Sequence, residues 1–273
     1  TTGGRIVGMI LMVLGIGFLG VLTATIAGIF IENKLMENKG MKTVVVEGHF
    51  VICGWNFSCH DIVAELRADP KSKDLPIVII AQLNEKPTED AMLQFIRGEV
   101  KPDVLEKANL KAAQGVILVS NENLDPNVRD AKTILDTLTI KSLYPDVYVC
   151  VELMESKNID HCQRARADEI IVIGELSTNL LVQAALDHGI TRMVTELVSN
   201  RYGNEVYKIG LPSAMVGWTF FDVMCELKKS QEILCVGVEN KGDQKLTTNP
   251  DGAYRLSSED DLIVIATSRP VLN

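Results

Sequence analysis

Residues 50–56 combine an apolar run with a turn that could bind an anion. The apolar run stops at Gly54, and an amphipathic segment begins a few residues later. This order is typical of a buried parallel strand, a tight turn and a helix whose free N–H groups point back at the turn. Gly54, Trp55 and Asn56 are therefore candidate cofactor-binding residues.

The turn occupies the position of a dinucleotide-binding fingerprint but departs from its GxGxxG pattern. Glycine would be needed at positions 54, 56 and 59, where the chain has Gly54, Asn56 and Cys59. Asparagine can adopt a positive φ, but its side chain keeps the backbone farther from a pyrophosphate. The next predicted strand ends in Ala81-Gln82 rather than in an acid, and the Gln82 amide can still hydrogen-bond a ribose hydroxyl. The pattern leaves both a nucleotide site and a vestigial site open.

Polar residues also follow the other predicted strands. Because ligands of open α/β sheets bind at the carboxyl ends of the strands, we expect Gly98, Glu99, Ser120 and Asn121 to border the same cleft as the turn. These residues complete the predicted cofactor site.

Three glutamates near strand ends could instead bind a cation. Glu99, Glu122 and Glu152 carry the carboxylate oxygens that Ca2+ prefers, and solvated acids at loop tips are the alternative. The four histidines show no metal-ligand grouping, the six cysteines form no CxxC pair, and there is no GxSxG signature. We therefore expect no enzyme and no catalytic residue. The net charge of −9 argues against nucleic acid as a partner.

Short runs of Val, Ile, Leu, Phe and Cys alternate with helical patterns and would position these residues. The strands are predicted at 49–54, 77–81, 95–97, 115–119, 147–151 and 169–173. Six buried strands separated by helices indicate an α/β fold with a Rossmann-like, doubly wound parallel sheet.

The segment before this sheet is predicted to span a membrane. Residues 6–31 contain no charged residue and, as a helix, would extend ~39 Å against a bilayer core of ~30 Å. A buried helix of a soluble protein is the alternative. The many glycines, Gly15 among them, permit close helix packing or a bend. Lysines just beyond the span favour a cytoplasmic location for the rest.

Two amphipathic helices are predicted after the sixth strand, the first capped by Ser177 and the second ending near Ser199. Leu180, Leu181 and Ala184 lie outside the sheet, so we expect a partner subunit to cover them. A small α+β C-terminal lobe follows. The predicted organisation is a transmembrane helix at 1–32, a linker at 33–48, a Rossmann-like lobe at 49–174, dimerisation helices at 175–201 and the C-terminal lobe at 202–273.

Four motifs together resemble one family. They are His49-Phe-Val-Ile-Cys-Gly-Trp55, Gly98 with Leu105-Glu-Lys-Ala-Asn109, Val13-Leu-Gly-Ile-Gly17 and Glu259-Asp-Asp-Leu-Ile-Val-Ile265. The whole chain is similar to the potassium channels gated by RCK domains. The resemblance implies a pore-lining inner helix with Gly15 as the gating hinge, followed by a cytoplasmic RCK domain. It also implies a homotetramer in the cell membrane, with the RCK domains in a gating ring and potassium ions in the pore, and a selectivity filter that would precede this sequence.

The chain departs from the calcium-activated members of that family. Their three acidic positions match Ser120, Glu152 and Met154, so Glu152 is the one remaining metal candidate. The sequence therefore favours NAD or ADP over Ca2+ as the ligand. Two other functions stay open, a regulatory subunit of a potassium transporter and a membrane-anchored NAD-dependent oxidoreductase.

Overall fold

The structure is a computed structural model that describes residues 2–121 and 124–271. It begins with the long helix α1 (Thr2–Asn38), which by length and composition could cross a membrane along Leu14–Asn38. None of that apolar stretch is buried within the chain. The predicted span at 6–31 lies inside this helix, which continues through the charged residues that follow.

The remaining elements alternate as the sequence predicts. The strands of the first sheet are β1 (Phe50–Cys53), β2 (Ile77–Ala81), β3 (Leu93–Arg97), β4 (Gly115–Leu118), β5 (Val149–Leu153) and β6 (Glu169–Val172). The helices between them are α2 (Cys59–Ala68), α3 (Pro102–Lys107), α4 (Pro126–Leu143) and α5 (Ile159–Arg164). All strand pairs are parallel, in the order β3-β2-β1-β4-β5-β6. The predicted Rossmann-like fold is confirmed.

Contacts divide the chain into two compact units. The first contains residues 1–60 and 74–177, and its core consists of side chains from the strands together with those of α3 and α4. The second contains residues 61–73 and 178–273. Most of α2 belongs to the second unit, where the Glu65 carboxylate accepts a hydrogen bond from the Asn200 N–H at 2.8 Å and pairs with Arg201 at 3.0 Å.

The second unit contains the predicted small α+β lobe. Its elements are α7 (Ile190–Val198), β7 (Glu205–Gly210), α8 (Phe220–Gln231), β8 (Leu234–Asn240), β9 (Leu246–Thr248) and β10 (Asp260–Ala266). The strands form an antiparallel sheet in the order β7-β10-β8-β9. The Thr219 hydroxyl caps α8 by accepting a hydrogen bond from the Asp222 N–H at 3.2 Å. The strand β9 was not predicted, because its three residues are all exposed and carry no apolar alternation.

The predicted start of the first amphipathic helix at Ser177 is wrong. This helix, α6 (Ile173–Leu186), begins immediately after β6, and Ser177 lies more than one turn inside it. Glu175 lies in the first turn, where a negative charge stabilises a helix N-terminus, so an earlier start needs no serine cap. Gly174 allows the start of α6 to lie close to Met154, the residue after β5. A Cβ at position 174 would lie 2.6 Å from the Met154 carbonyl oxygen.

The segment between α1 and β1 packs against the other elements of the first unit. Val44 is buried in the core, and its N–H donates to the Lys107 carbonyl oxygen at 2.8 Å. Gly48 makes the same kind of bond to Ala112, also at 2.8 Å. The segment therefore runs alongside α3 and the residues after it, and Val44 is part of the same hydrophobic core.

Candidate functional site

The strand order creates a cleft at the carboxyl edge of the first sheet. β2 and β3 lie on one side of β1, and β4, β5 and β6 lie on the other side. The connections that leave β1 and β4 therefore run in opposite directions. Ligands of open α/β sheets bind at such a switch point. The residues that line the cleft follow β1, β2, β3 and β4, and further residues come from α4.

Gly54 forms the turn at the base of this cleft. Its φ is +94°, a conformation that residues with a side chain rarely adopt. Its N–H donates to the Ile80 carbonyl oxygen at 2.8 Å, and a Cβ at this position would lie 2.8 Å from the Val119 carbonyl oxygen. The turn therefore needs glycine for its dihedral angle and for the close approach of the segment after β4.

Asn56 supports the turn from inside. Its side-chain amide donates to the Ser120 carbonyl oxygen at 3.2 Å, and its Oδ1 accepts from the Ser58 N–H at 3.0 Å. The residue is buried, so its side chain ties the ends of β1 and β4 together. This asparagine takes the place of the second fingerprint glycine by making turn hydrogen bonds of its own.

Ser120 extends the same connection to β5. The residue is buried, and its hydroxyl donates to Oε1 of Glu152 at 2.7 Å. The metal candidate Glu152 is therefore hydrogen-bonded within the chain. Among residues 2–121 and 124–271, no group of three or more His, Cys, Asp or Glu side chains could hold a metal ion. Glu122, a member of the predicted cation site, lies outside these described residues.

Most of the predicted cofactor-binding residues meet at the cleft. Six of them line it: Gly54, Trp55, Gln82, Gly98, Glu99 and Asn121. The other two, Asn56 and Ser120, lie behind the wall and make the hydrogen bonds described above. The Trp55 ring makes a T-shaped contact with the His60 ring, with centroids 5.0 Å apart. A tryptophan that lines a cleft can stack on a nucleobase.

The helix α4 provides one wall of the cleft, and this wall was not predicted from the sequence. Arg129, Lys132, Thr133 and Asp136 line it. Their spacing of three, four and seven residues places them on one face of a helix. This polar face was visible in the sequence, but only the fold shows that it borders the turn after β1.

Two ion pairs lie at the cleft. Lys132 lies 3.1 Å from Oδ2 of Asp136, and Glu99, which follows β3, lies 3.3 Å from the ammonium of Lys101. Burial raises the pKa of the Asp136 carboxyl, and Lys132 opposes that rise. The wall thus holds a cation whose partner acid is partly desolvated.

The remaining predicted residues lie away from the cleft. Gly15 lies within α1, and apart from its chain neighbours and the backbone of its own helix no atom of the described residues lies within 4 Å of the position of a Cβ there. Leu181 of α6 is exposed, while Leu180 and Ala184 are half-buried. No described residue of α6 is fully buried, so the described part of the chain covers its apolar side chains only in part.

Together, the cleft and the sheet define a Rossmann-type domain that follows a helix able to cross a membrane. Residues 45–151 match the family described as the calcium-activated potassium channel slowpoke-like RCK domain. Residues 174–271 match a second family, described as Castor and Pollux, part of voltage-gated ion channel.

Individual proteins give the same picture. The calcium-gated potassium channel TvoK of Thermoplasma volcanium is 28% identical over 270 residues, which cover 97% of this chain and 75% of that protein. The putative potassium channel protein YugO of Bacillus subtilis is 25% identical over 66% of this chain and 55% of its own length. These matches confirm the resemblance to potassium channels gated by RCK domains.

A solved structure supports the fold. The human SLO3 gating ring matches 81% of this chain with a TM-score of 0.64 and 19% identity. The chain spans 44% of the length of that structure.

Proposed function

We propose that the chain is a subunit of a ligand-gated potassium channel, with α1 as the inner pore helix and the following residues as an RCK gating domain. The observation that carries this proposal is the match to a calcium-gated potassium channel over 97% of the chain, through both α1 and the two lobes. Ligand binding needs only to favour one of two states by a few kcal/mol, about the energy that a single site can supply. The protein is regulatory rather than enzymatic.

The docked linker supplies a route from the cleft to α1. The Gly40 carbonyl oxygen, just beyond α1, accepts a hydrogen bond from the Arg97 N–H at 3.0 Å. Arg97 ends β3, and the next residues, Gly98 and Glu99, line the cleft. A ligand that moves Gly98 and Glu99 therefore also moves Arg97, which is hydrogen-bonded to Gly40 just beyond α1. The movement reaches α1 through this direct contact.

The exposed helices support a proposal for assembly and location. We place the RCK domains in the cytoplasmic gating ring of a homotetramer in the cell membrane, with potassium ions in the pore. The apolar residues of α6, exposed in the single chain, form the subunit interface. A regulatory subunit of a potassium transporter is the second candidate, and the helix α1, continuous with the docked linker, favours the channel.

We assign a nucleotide, NAD or ADP, to the cleft, and its phosphate to the turn after β1. Gly54 allows a close approach to the N-terminus of α2, which attracts anions. Gln82 and Asn121 supply polar groups for ribose and base. Ca2+ is the competing ligand, because the relative from Thermoplasma volcanium is called calcium-gated. Glu152, however, already accepts a hydrogen bond from Ser120.

A chimera tests the channel proposal. When residues 2–271 of this chain replace the matching part of the Thermoplasma volcanium channel, we expect potassium currents whose open probability depends on the cleft ligand. In that chimera Gly15→Ala should shift open probability, because alanine stabilises the regular helical conformation by ~1 kcal/mol relative to glycine and so disfavours a bend. Ala24→Gly, a change of equal size in the same helix, is the control for helix stability alone. Currents that respond to neither ligand nor Gly15→Ala would refute the gating proposal.

Calorimetry tests the ligand. We expect the purified chain to bind NAD or ADP and to give little heat with Ca2+. We expect Glu152→Gln to leave nucleotide affinity within about threefold, since the amide can still accept the Ser120 hydrogen bond. Calcium binding that disappears in Glu152→Gln, with no heat from either nucleotide, would reverse the assignment.

A further inference from the structure

We propose that Lys132 of α4 binds a terminal phosphate of the ligand, so that the cleft selects a nucleoside diphosphate over a nucleoside or monophosphate. Arg129, one turn earlier, would face the same group. This inference rests on the proposed function, in which the cleft binds a nucleotide, and it adds the ligand class and a residue that determines it.

The geometry places two phosphate-binding elements in one cleft. The turn at Gly54 and the α4 face with Arg129 and Lys132 both line it. The Nε of Arg129 donates to the Leu124 carbonyl oxygen at 2.7 Å, which anchors this side chain near the loop after β4. A nucleotide with one phosphate at the turn would extend its next phosphate towards α4.

The local charge is balanced although the whole chain carries −9. The charged residues that line the cleft are two cations, Arg129 and Lys132, and two acids, Glu99 and Asp136. Charges farther away are screened beyond ~8 Å at physiological salt. A diphosphate would therefore meet a locally neutral site rather than the net negative charge of the whole chain.

The partner of Lys132 can be exchanged. The Lys132 side chain is 36% exposed and makes two contacts with Asp136, at 3.1 and 3.3 Å. The ammonium group has three N–H donors, so it can contact a phosphate and Asp136 at the same time. A phosphate carries more charge and more acceptor oxygens than one carboxylate, and it would compete with Asp136 for these donors.

A simple (i, i+4) ion pair on a helix surface is the alternative role for Lys132. Such a pair stabilises a helix slightly and would not distinguish ligands by phosphate number. The two roles therefore predict different dependence of affinity on the phosphates of the ligand.

The test is a calorimetric titration of the whole chain, purified in detergent, with adenosine, AMP and ADP. For the unsubstituted chain we expect affinity to rise from adenosine to AMP to ADP. Lys132→Gln should weaken ADP binding roughly 10- to 100-fold, the value of a charge-assisted hydrogen bond, and leave adenosine binding within about twofold. Asp136→Asn, which removes the competing acid, should retain or strengthen ADP binding.

Lys157→Gln is the matched control. Lys157 forms an exposed ion pair with Glu155 and does not line the cleft, so its loss removes the same charge without the proposed contact. ADP affinity in this variant should stay within about twofold of the unsubstituted value.

Three outcomes would overturn the inference, and they can be distinguished. Equal ADP affinity in Lys132→Gln and the unsubstituted chain refutes the role of Lys132 while leaving the nucleotide site intact. Equal loss of adenosine and ADP binding in Lys132→Gln shows a structural role for the lysine. If none of the three compounds binds the unsubstituted chain, the nucleotide assignment fails together with this inference.

Discussion

Replacing Gly54 with alanine is expected to abolish nucleotide binding and to lower the midpoint of thermal unfolding by about 5–10 °C. At a φ of +94° an alanine is strained by about 1–3 kcal/mol. Its Cβ would also lie 2.8 Å from the Val119 carbonyl oxygen and 3.0 Å from a methyl group of the same residue. The segment after β4 must then move away from β1, and the cleft between these two strands changes shape.

A second glycine separates the two causes. Gly217 of the C-terminal lobe has a φ of +85°, and apart from its chain neighbours no atom of residues 2–121 and 124–271 lies within 4 Å of the position of a Cβ there. Gly217→Ala therefore adds backbone strain without a collision, and we expect a smaller fall in the unfolding midpoint and unchanged nucleotide affinity. Thermal scans and titrations of both variants give the comparison. Equal effects on the midpoint, with full nucleotide affinity in Gly54→Ala, would show that the close approach at Gly54 has no functional consequence.

The sheet could be predicted from the sequence because its strands are buried on both faces. Runs such as Ile77–Ala81 contain no polar residue, and helical segments separate them, a pattern that few folds other than a parallel sheet satisfy. The predicted ends of these six strands lie within about two residues of the observed ends, because the apolar runs stop close to where the strands stop. The exposed strand Leu246–Thr248 has no apolar pattern, and it was missed.

The cleft could be predicted only where its residues follow strands. The carboxyl ends of parallel strands meet at one edge, so Gln82 and Glu99 could be placed at the cleft from the strand pattern alone. The wall from α4 depends on how that helix is rotated about its axis against the sheet. Lys132 and Asp136 lie at helical spacing, yet the same spacing would suit a solvent-exposed face.

The burial of Asn56 and Ser120 also could not be predicted from the sequence. Both are polar residues in loops, where exposure is the usual state. Their burial follows from hydrogen bonds between the ends of β1, β4 and β5, which bring together residues 32 to 64 positions apart in the chain. The docked linker is a similar case, because the contact of Val44 with the core depends on the position of α3.

Replacing Leu181 with aspartate is expected to convert the oligomeric gating domain into monomers. Leu181 is 73% exposed in the single chain, and Leu176, Val182 and Leu186 of the same helix are 57%, 53% and 70% exposed. Exposed apolar residues of this kind mark an interface, and an unpaired charge among them costs several kcal/mol on association. A loss of about 3–5 kcal/mol weakens association by two to three orders of magnitude or more.

The measurement is the mass of a fragment of residues 41–271, which starts before Val44 so that the linker residue in the core is retained. Native mass spectrometry at micromolar concentration should show oligomers for the unsubstituted fragment and monomers for Leu181→Asp. Gln183→Asp adds the same charge to the same helix but on a different face, and it should remain oligomeric. If Leu181→Asp keeps the oligomeric mass, or Gln183→Asp loses it equally, the subunit interface lies elsewhere than on the Leu181 face of α6.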